Sequence, residues 1–136
     1  MSDQTQTAAV LAVFEEIAES FSALDLPRFR RCYSLPFYMA VPDKPGVAVT
    51  DEAGFEAFFA PIIARLKAAG FVRSVLGRTH VHFLAPGLAL ASMHWARCRA
   101  DGSEIERFGA TYTLTHTAGR WLIVTLAAHG EDGVLP

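Results

Sequence analysis

The chain has 136 residues, 51% of them hydrophobic, which is enough apolar material for one domain with its own core. Its 12 Lys and Arg against 14 Asp and Glu leave a net charge of −2 with no basic stripe, which argues against nucleic acid as a partner. No apolar stretch reaches the roughly 20 residues of a membrane span, and the polar start Met1–Thr7 does not read as a secretory signal. A cytoplasmic location with no membrane contact is therefore expected, with Cys32 and Cys98 as reduced thiols.

From Ala8 to Leu24, Val10, Val13, Phe14, Ile17, Phe21 and Leu24 recur at helical spacing, with Glu15, Glu16 and Glu19 off that stripe. Asp25 reads as the N-cap of a short second helix, with Pro27 in its first turn, Phe29 inward and an end near Tyr33. Residues 35–41 and 47–49 read as a small hairpin around Pro42-Asp43-Lys44-Pro45-Gly46. A third helix opens at Thr50 or Asp51, turns Phe55, Phe58, Phe59, Ile62 and Leu66 inward, and closes at Gly70. Pro61 predicts a kink there, or a division into two shorter helices.

From Phe71 the period changes to two, and four strands are expected at about 71–84, 88–100, 104–117 and 120–128. A two-residue turn at Asp101-Gly102 sets Arg99 opposite Glu104, Arg97 opposite Glu106, Trp95 opposite Phe108, Met93 opposite Ala110 and Ala91 opposite Tyr112. A second turn at Ala118-Gly119 sets Tyr112 opposite Thr125, Leu114 opposite Ile123 and His116 opposite Trp121. The large apolar side chains of these pairs define the face that the helices cover. A three-residue Ala85-Pro86-Gly87 loop would add Val75, Val81 and Phe83 to it, with His80 and His82 on the other side; a two-residue loop would reverse this, and the first is expected because it buries the apolar set. The opposite face carries Ser92, His94, Arg107, Thr111 and Thr113 with Val124 and Leu126, a mixture that fits the interface of a homodimer.

Helix, short helix, hairpin, long helix and four long strands, ending in Gly109-Ala-Thr-Tyr-Thr-Leu-Thr-His-Thr-Ala-Gly-Arg-Trp-Leu-Ile, resemble the nuclear transport factor 2-like superfamily over nearly the whole chain. The similarity extends to its polyketide-cyclase-like (SnoaL-like) and ketosteroid-isomerase-like branches. It implies an α+β fold of cystatin-like type, a cone-shaped curved antiparallel sheet wrapped around three helices, commonly dimeric through the outer sheet face. Residues 1–136 then form a single domain, with 1–7 and 131–136 as loosely ordered tails. Members resembling this chain include isomerases, dehydratases, cyclases, epoxide hydrolases and proteins without known activity, so fold alone names no reaction. The base Asp that ketosteroid-isomerase-like members carry near the hairpin has only Asp43 as a counterpart, inside a turn. The Arg-x-Asp of epoxide-hydrolase-like members is replaced by Arg97-Cys98-Arg99.

The residues place a ligand among Phe14, Ile17, Tyr38, Phe55, Phe59, Trp95, Phe108, Tyr112, Ile123 and Thr125. Arg97, Glu106 and His129 form a candidate polar rim, a base and a carboxylate beside a guanidinium that could stabilise an oxyanion. The competing reading of that rim is a cross-strand ion pair beside a terminal His. His80 and His82 at i and i+2, with His94 on the next strand, have metal-ligand spacing, but no carboxylate or Cys accompanies them. Neither a metal nor another cofactor is expected. The functional reading is a domain that binds a small apolar molecule, with cofactor-free isomerase, cyclase or dehydratase chemistry by general acid–base catalysis as its enzymatic form. The alternative is a non-catalytic dimeric adaptor acting through the outer sheet face.

Overall fold

The computed structural model describes residues 3–136. Its first helix, α1, spans Asp3–Ser22 and so begins five residues ahead of the Ala8 expected from periodicity, while Met1 and Ser2 lie outside the described residues. The stripe Val10, Phe14, Ile17 and Phe21 is buried, whereas Glu15 and Glu19 face water. Asp25 accepts the amide of Arg28 at 3.2 Å and caps α2, Leu26–Arg30, whose buried residue is Phe29. Arg28 reaches back to Glu16 at 2.7 Å, tying α2 to α1.

Strands β1 (Tyr33–Ala40) and β2 (Val47–Val49) form the expected hairpin. Asp51 then caps α3, Glu52–Ala68, through the amide of Gly54 at 2.7 Å. Pro61 stands inside this one uninterrupted helix, so the division into two helices does not occur. Both Pro61 and Ala57, whose carbonyl loses its partner, are exposed, which lets water take the place of the missing bond. Phe55, Phe59 and Leu66 are buried, and Phe58 and Ile62 pack partly buried beside them.

Strands β3 (Phe71–Ala85), β4 (Leu88–Arg99), β5 (Glu104–Thr117) and β6 (Arg120–His129) agree with the sequence reading to within a residue at most ends. The six-stranded curved sheet has the order β2-β1-β6-β5-β4-β3, and β2 and β3 leave it unclosed. All neighbours are antiparallel except β1 and β6, which run parallel.

Register holds where the turns are regular and slips at bulges, because one extra residue reverses which face every later side chain takes. Arg97 pairs with Glu106, Trp95 with Phe108, Met93 with Ala110 and Ala91 with Tyr112, as expected. Arg99 does not face Glu104. The loop there contains three residues, Ala100 to Gly102, with Gly102 at φ 87°, the amide of Arg99 bonded to the Ser103 carbonyl and Cys98 opposite Glu104. The turn at Ala118 and Gly119, both at positive φ, sets Leu114 opposite Ile123 and His116 opposite Trp121. Between Thr113 and Leu114 a bulge leaves Val124 unpaired. Beyond it Tyr112 faces Leu126, not Thr125, and Thr125 faces Thr113. On β3, Val81 and Phe83 sit opposite the buried Ala91 and Ala89, while His80 and His82 lie beside Ser92 and Leu90, as expected, but not through a three-residue loop. Ala85 pairs with Leu88 across Pro86-Gly87, and a bulge between Phe83 and Ala85 restores that register. A further bulge between Leu76 and Thr79 turns Leu76 inward opposite Trp95 and leaves Val75, expected inside, 41% exposed.

The carboxyl end is not a loose tail. A 3-10 turn at Glu131–Gly133 brings it back across the outer face of the sheet, Val134 is buried, and the amide of Leu135 donates to the Ser92 hydroxyl at 3.0 Å. Glu131 meets Arg107 at 3.0 Å and His94 at 3.4 Å. Ser92, expected at a dimer face, is therefore 0% exposed within a single chain. Leu126, expected on that face too, is buried on the inner side because of the Val124 bulge.

Candidate functional site

A cavity of about 260 Å³ lies between α1, the carboxyl-terminal half of α3 and the inner sheet face. Its walls include Ile17 and Phe21 from α1, Phe29 from α2, Tyr33 and Met39 from β1, and Ile62 and Arg65 from α3. Across from these stand Trp95 and Arg97 of β4, Glu106, Phe108 and Tyr112 of β5, and Leu126 and Ala128 of β6. Alternation explains the set: Trp95 and Arg97, then Phe108 and Glu106, are cross-strand pairs on one face.

Of the ligand residues read from sequence, Ile17, Trp95, Phe108 and Tyr112 line this cavity. Phe14, Phe55, Phe59 and Ile123 are buried but belong to the packed core beside it, where Phe14 meets Tyr112 at 4.7 Å between ring centroids and Phe55 meets Phe59 at 4.7 Å. Tyr38 and Thr125 do not reach it. They pair with each other across β1 and β6, and Tyr38 is 47% exposed, its ring lying over Gly46 of the hairpin loop. Their neighbours Met39 and Leu126 take the inward places instead.

The expected rim divides in two. Arg97 and Glu106 meet at 2.6 Å on the cavity wall, and Arg65 closes a second pair on the same carboxylate at 3.0 Å. The Arg97 guanidinium also lies 5.1 Å from the Phe21 ring centroid and 4.8 Å from that of Phe108, so it is held in place by rings as well as by charge. Partial burial works to raise the Glu106 pKa, but the hydrogen bonds and charges of Arg65 and Arg97 outweigh it and hold the carboxyl below its ordinary range. A carboxylate so stabilised is a weak proton acceptor.

His129 stands on the opposite face, put there by the same Val124 bulge. Its Nδ1 lies 2.7 Å from the Gly130 carbonyl and must carry the proton of that bond, so in the neutral ring Nε2 accepts from the Thr111 hydroxyl at 2.8 Å. Thr111 in turn lies 2.9 Å from the Ser92 hydroxyl, which accepts the Leu135 amide. Both ring nitrogens thus belong to the anchoring of the tail. Arg107, His94, Thr111 and Thr113 lie on that outer face, the first three within the same network.

The two phenols of the cavity differ in their partners. Tyr112 accepts the indole N–H of Trp95 at 3.0 Å, while the Tyr33 hydroxyl has no hydrogen-bond partner among the described residues. Burial raises the pKa of both, so both keep their protons at neutral pH. Leu126, expected on the outer face, and Met39, which the sequence pattern does not single out, come to this wall beside Tyr33 only through the pairings of β6 with β5 and β1. Burial also pushes the Cys32 thiol up to about 12, which leaves it unreactive. Among the described residues no group of three His, Cys, Asp or Glu side chains is placed to hold a metal ion, and no helix is long and apolar enough to cross a membrane. Two larger depressions, about 410 and 610 Å³, are surface grooves lined in good part by exposed charged side chains, Arg31, Glu52 and Glu56 in one and Arg31 and Arg120 in the other.

A family model described as NTF2-like protein (DUF6841) matches residues 6–131. Among solved structures, Aln2 from a Streptomyces species superposes with a TM-score of 0.76 at 13% identity, over 97% of this chain and 95% of its own. An NTF2-like protein with a cystatin-like fold from Novosphingobium aromaticivorans gives 0.67 at 20% identity, over 98% and 93%. A protein from Catenulispora acidiphila, in complex with S-DNPA, gives 0.73 at 12% identity, over 95% and 96%. At these identities the likeness is one of fold. No protein of the curated set matches the chain.

Proposed function

The chain belongs to the NTF2-like protein (DUF6841) family, and on that premise we propose that it is a small-molecule-binding domain whose ligand is an apolar ring system held in the cavity between α1, α3 and the inner sheet face. One observation carries this reading: a space of about 260 Å³ walled by rings and aliphatic side chains, with a few polar groups converging on it. An apolar cavity of roughly 150 Å³ admits benzene and drug-sized ligands need roughly 300 Å³ or more, so this volume suits one or two rings. The small molecule bound by the Catenulispora relative supports the reading by analogy of fold.

Within this reading the site is better suited to binding than to acid–base turnover. Its one carboxylate is held ionised by two guanidiniums, and His129 is engaged on the other side of the sheet. The adaptor reading has less support, since the tail already covers Ser92 on the outer face. The test is calorimetric titration of wild type and Ala128→Phe with one- and two-ring ligands. Ala128 lines the cavity, and a phenyl ring there fills it. Binding by wild type and not by the variant is expected, and equal binding by both would put the ligand elsewhere.

A further inference from the structure

We infer that the ligand of this cavity carries an oxygen acceptor, a carbonyl or carboxylate on its ring, and that the phenols of Tyr33 and Tyr112 donate to it. The inference rests on the reading of the cavity as a small-molecule site and goes on to the chemistry of its occupant. Tyr33 is 2% exposed and lines the cavity, yet its hydroxyl meets no acceptor or donor among the described residues. The hydroxyl is not sealed within the protein, since the fully buried side-chain polar atom without a partner among the described residues is Arg30 Nε; it opens into the cavity, where it can donate to whatever fills the space. The missing partner is supplied when a ligand fills the space.

Tyr112 stands nearby with the same capacity. Its oxygen accepts from Trp95 at 3.0 Å, and its own proton has no acceptor among the described residues. Tyr33, Tyr112 and the Arg97 side chain all line this one cavity. Against these donors the wall offers one anionic acceptor, the Glu106 carboxylate. Arg97 occupies its Oε2 at 2.6 Å and Arg65 its Oε1 at 3.0 Å. Two guanidiniums against one carboxylate also leave this wall net positive. A protonated amine would find the carboxylate already engaged and meet like charge, whereas a carbonyl or carboxylate finds two phenolic donors.

Calorimetric titration of the whole chain with benzoate, acetophenone, benzylamine and ethylbenzene separates the cases, since the four rings are alike in size. Benzoate and acetophenone should bind about tenfold or more tightly than the other two, and Tyr33→Phe should remove about tenfold of that affinity while leaving ethylbenzene unaffected. The unliganded Tyr33→Phe protein should melt close to the wild-type temperature, because the hydroxyl it removes bonds to no other described residue. Equal binding of all four probes, undiminished acceptor binding by Tyr33→Phe, or a Tyr33→Phe protein that is destabilised or fails to fold would each overturn the phenol assignment and leave the cavity as a site. Tyr112→Phe, which keeps the ring, should weaken the acceptor probes in the same direction. Failure of all four probes to bind would overturn the small-molecule reading itself.

Discussion

The inner and outer faces of the same sheet are held by different forces. Inside, rings pack on rings: Phe29 meets Phe59 at 4.9 Å and Tyr33 at 5.1 Å, Tyr33 meets Phe37 at 4.9 Å, and Phe14 lies against Tyr112. Outside, the Leu135 amide, the Ser92 and Thr111 hydroxyls and the His129 ring run in a chain of hydrogen bonds beneath the returning tail. Apolar packing has no direction and stabilises by about 1.5–3 kcal/mol per large buried side chain, so it tolerates small errors of placement. A hydrogen-bonded chain requires each donor to meet its acceptor, so it depends on register. The inner face holds the ring packing, and the outer face holds residues 131–135 against the sheet.

The comparison can be broken first at its strong side. Phe14→Ala removes a fully buried ring and should cost about 3–5 kcal/mol in urea unfolding, and a loss below about 1 kcal/mol would mean that ring packing does not carry the inner face. Gly109→Ala acts on the outer face, because an added Cβ would stand 2.6 Å from the Gly130 carbonyl and 2.7 Å from the His129 ring. It should cost about 1–3 kcal/mol and expose the Leu135 amide to hydrogen exchange while leaving binding in the cavity intact; retained protection would show that the tail is anchored otherwise.

Acid sharpens the contrast further. The Glu131 carboxyl is held below its ordinary range by the hydrogen bonds and charge of Arg107 and then of His94, and Glu106 is held low by Arg65 and Arg97 despite its partial burial. Carboxyls depressed in the folded state stabilise it above their unfolded pKa, and that contribution fades as pH falls through the folded value. Glu131→Gln should therefore flatten the acid limb of Leu135 amide protection, and Glu106→Gln that of the melting temperature, with each leaving the other profile in place. The smallest effect belongs to His129→Ala, which should loosen the tail and leave ligand affinity at the wild-type value; a tenfold loss would return His129 to the site.

Much of this was legible in the residues. The alternation around Trp95, Phe108, Met93 and Tyr112 identified the inner face, and four of the five pairs predicted across the Asp101-Gly102 loop hold. The cavity was legible in part: Ile17, Trp95, Phe108, Tyr112, Arg97 and Glu106 line it, whereas Tyr38, Thr125 and His129 do not. All three misplacements have one origin in the pairing of β6. The Val124 bulge reverses its alternation, and the parallel pairing with β1 carries the reversed alternation to Met39 and Tyr38.

Sequence by itself determined the helices, the strands and the ends of the four long strands, though not the start of α1 or the end of α2, because hydrophobic period, caps such as Asp25 and Asp51, and turns such as Ala118-Gly119 are properties of a few adjacent residues. Tertiary structure decided the bulges at Leu76, Arg97 and Val124 and the return of the tail over Gly109. A bulge bends and twists the sheet to fit what packs on it, and here that is α1 and α3, distant along the chain. Nothing in the few residues beside a bulge specifies that fit, yet each bulge determines which face, and hence which chemistry, every side chain beyond it serves.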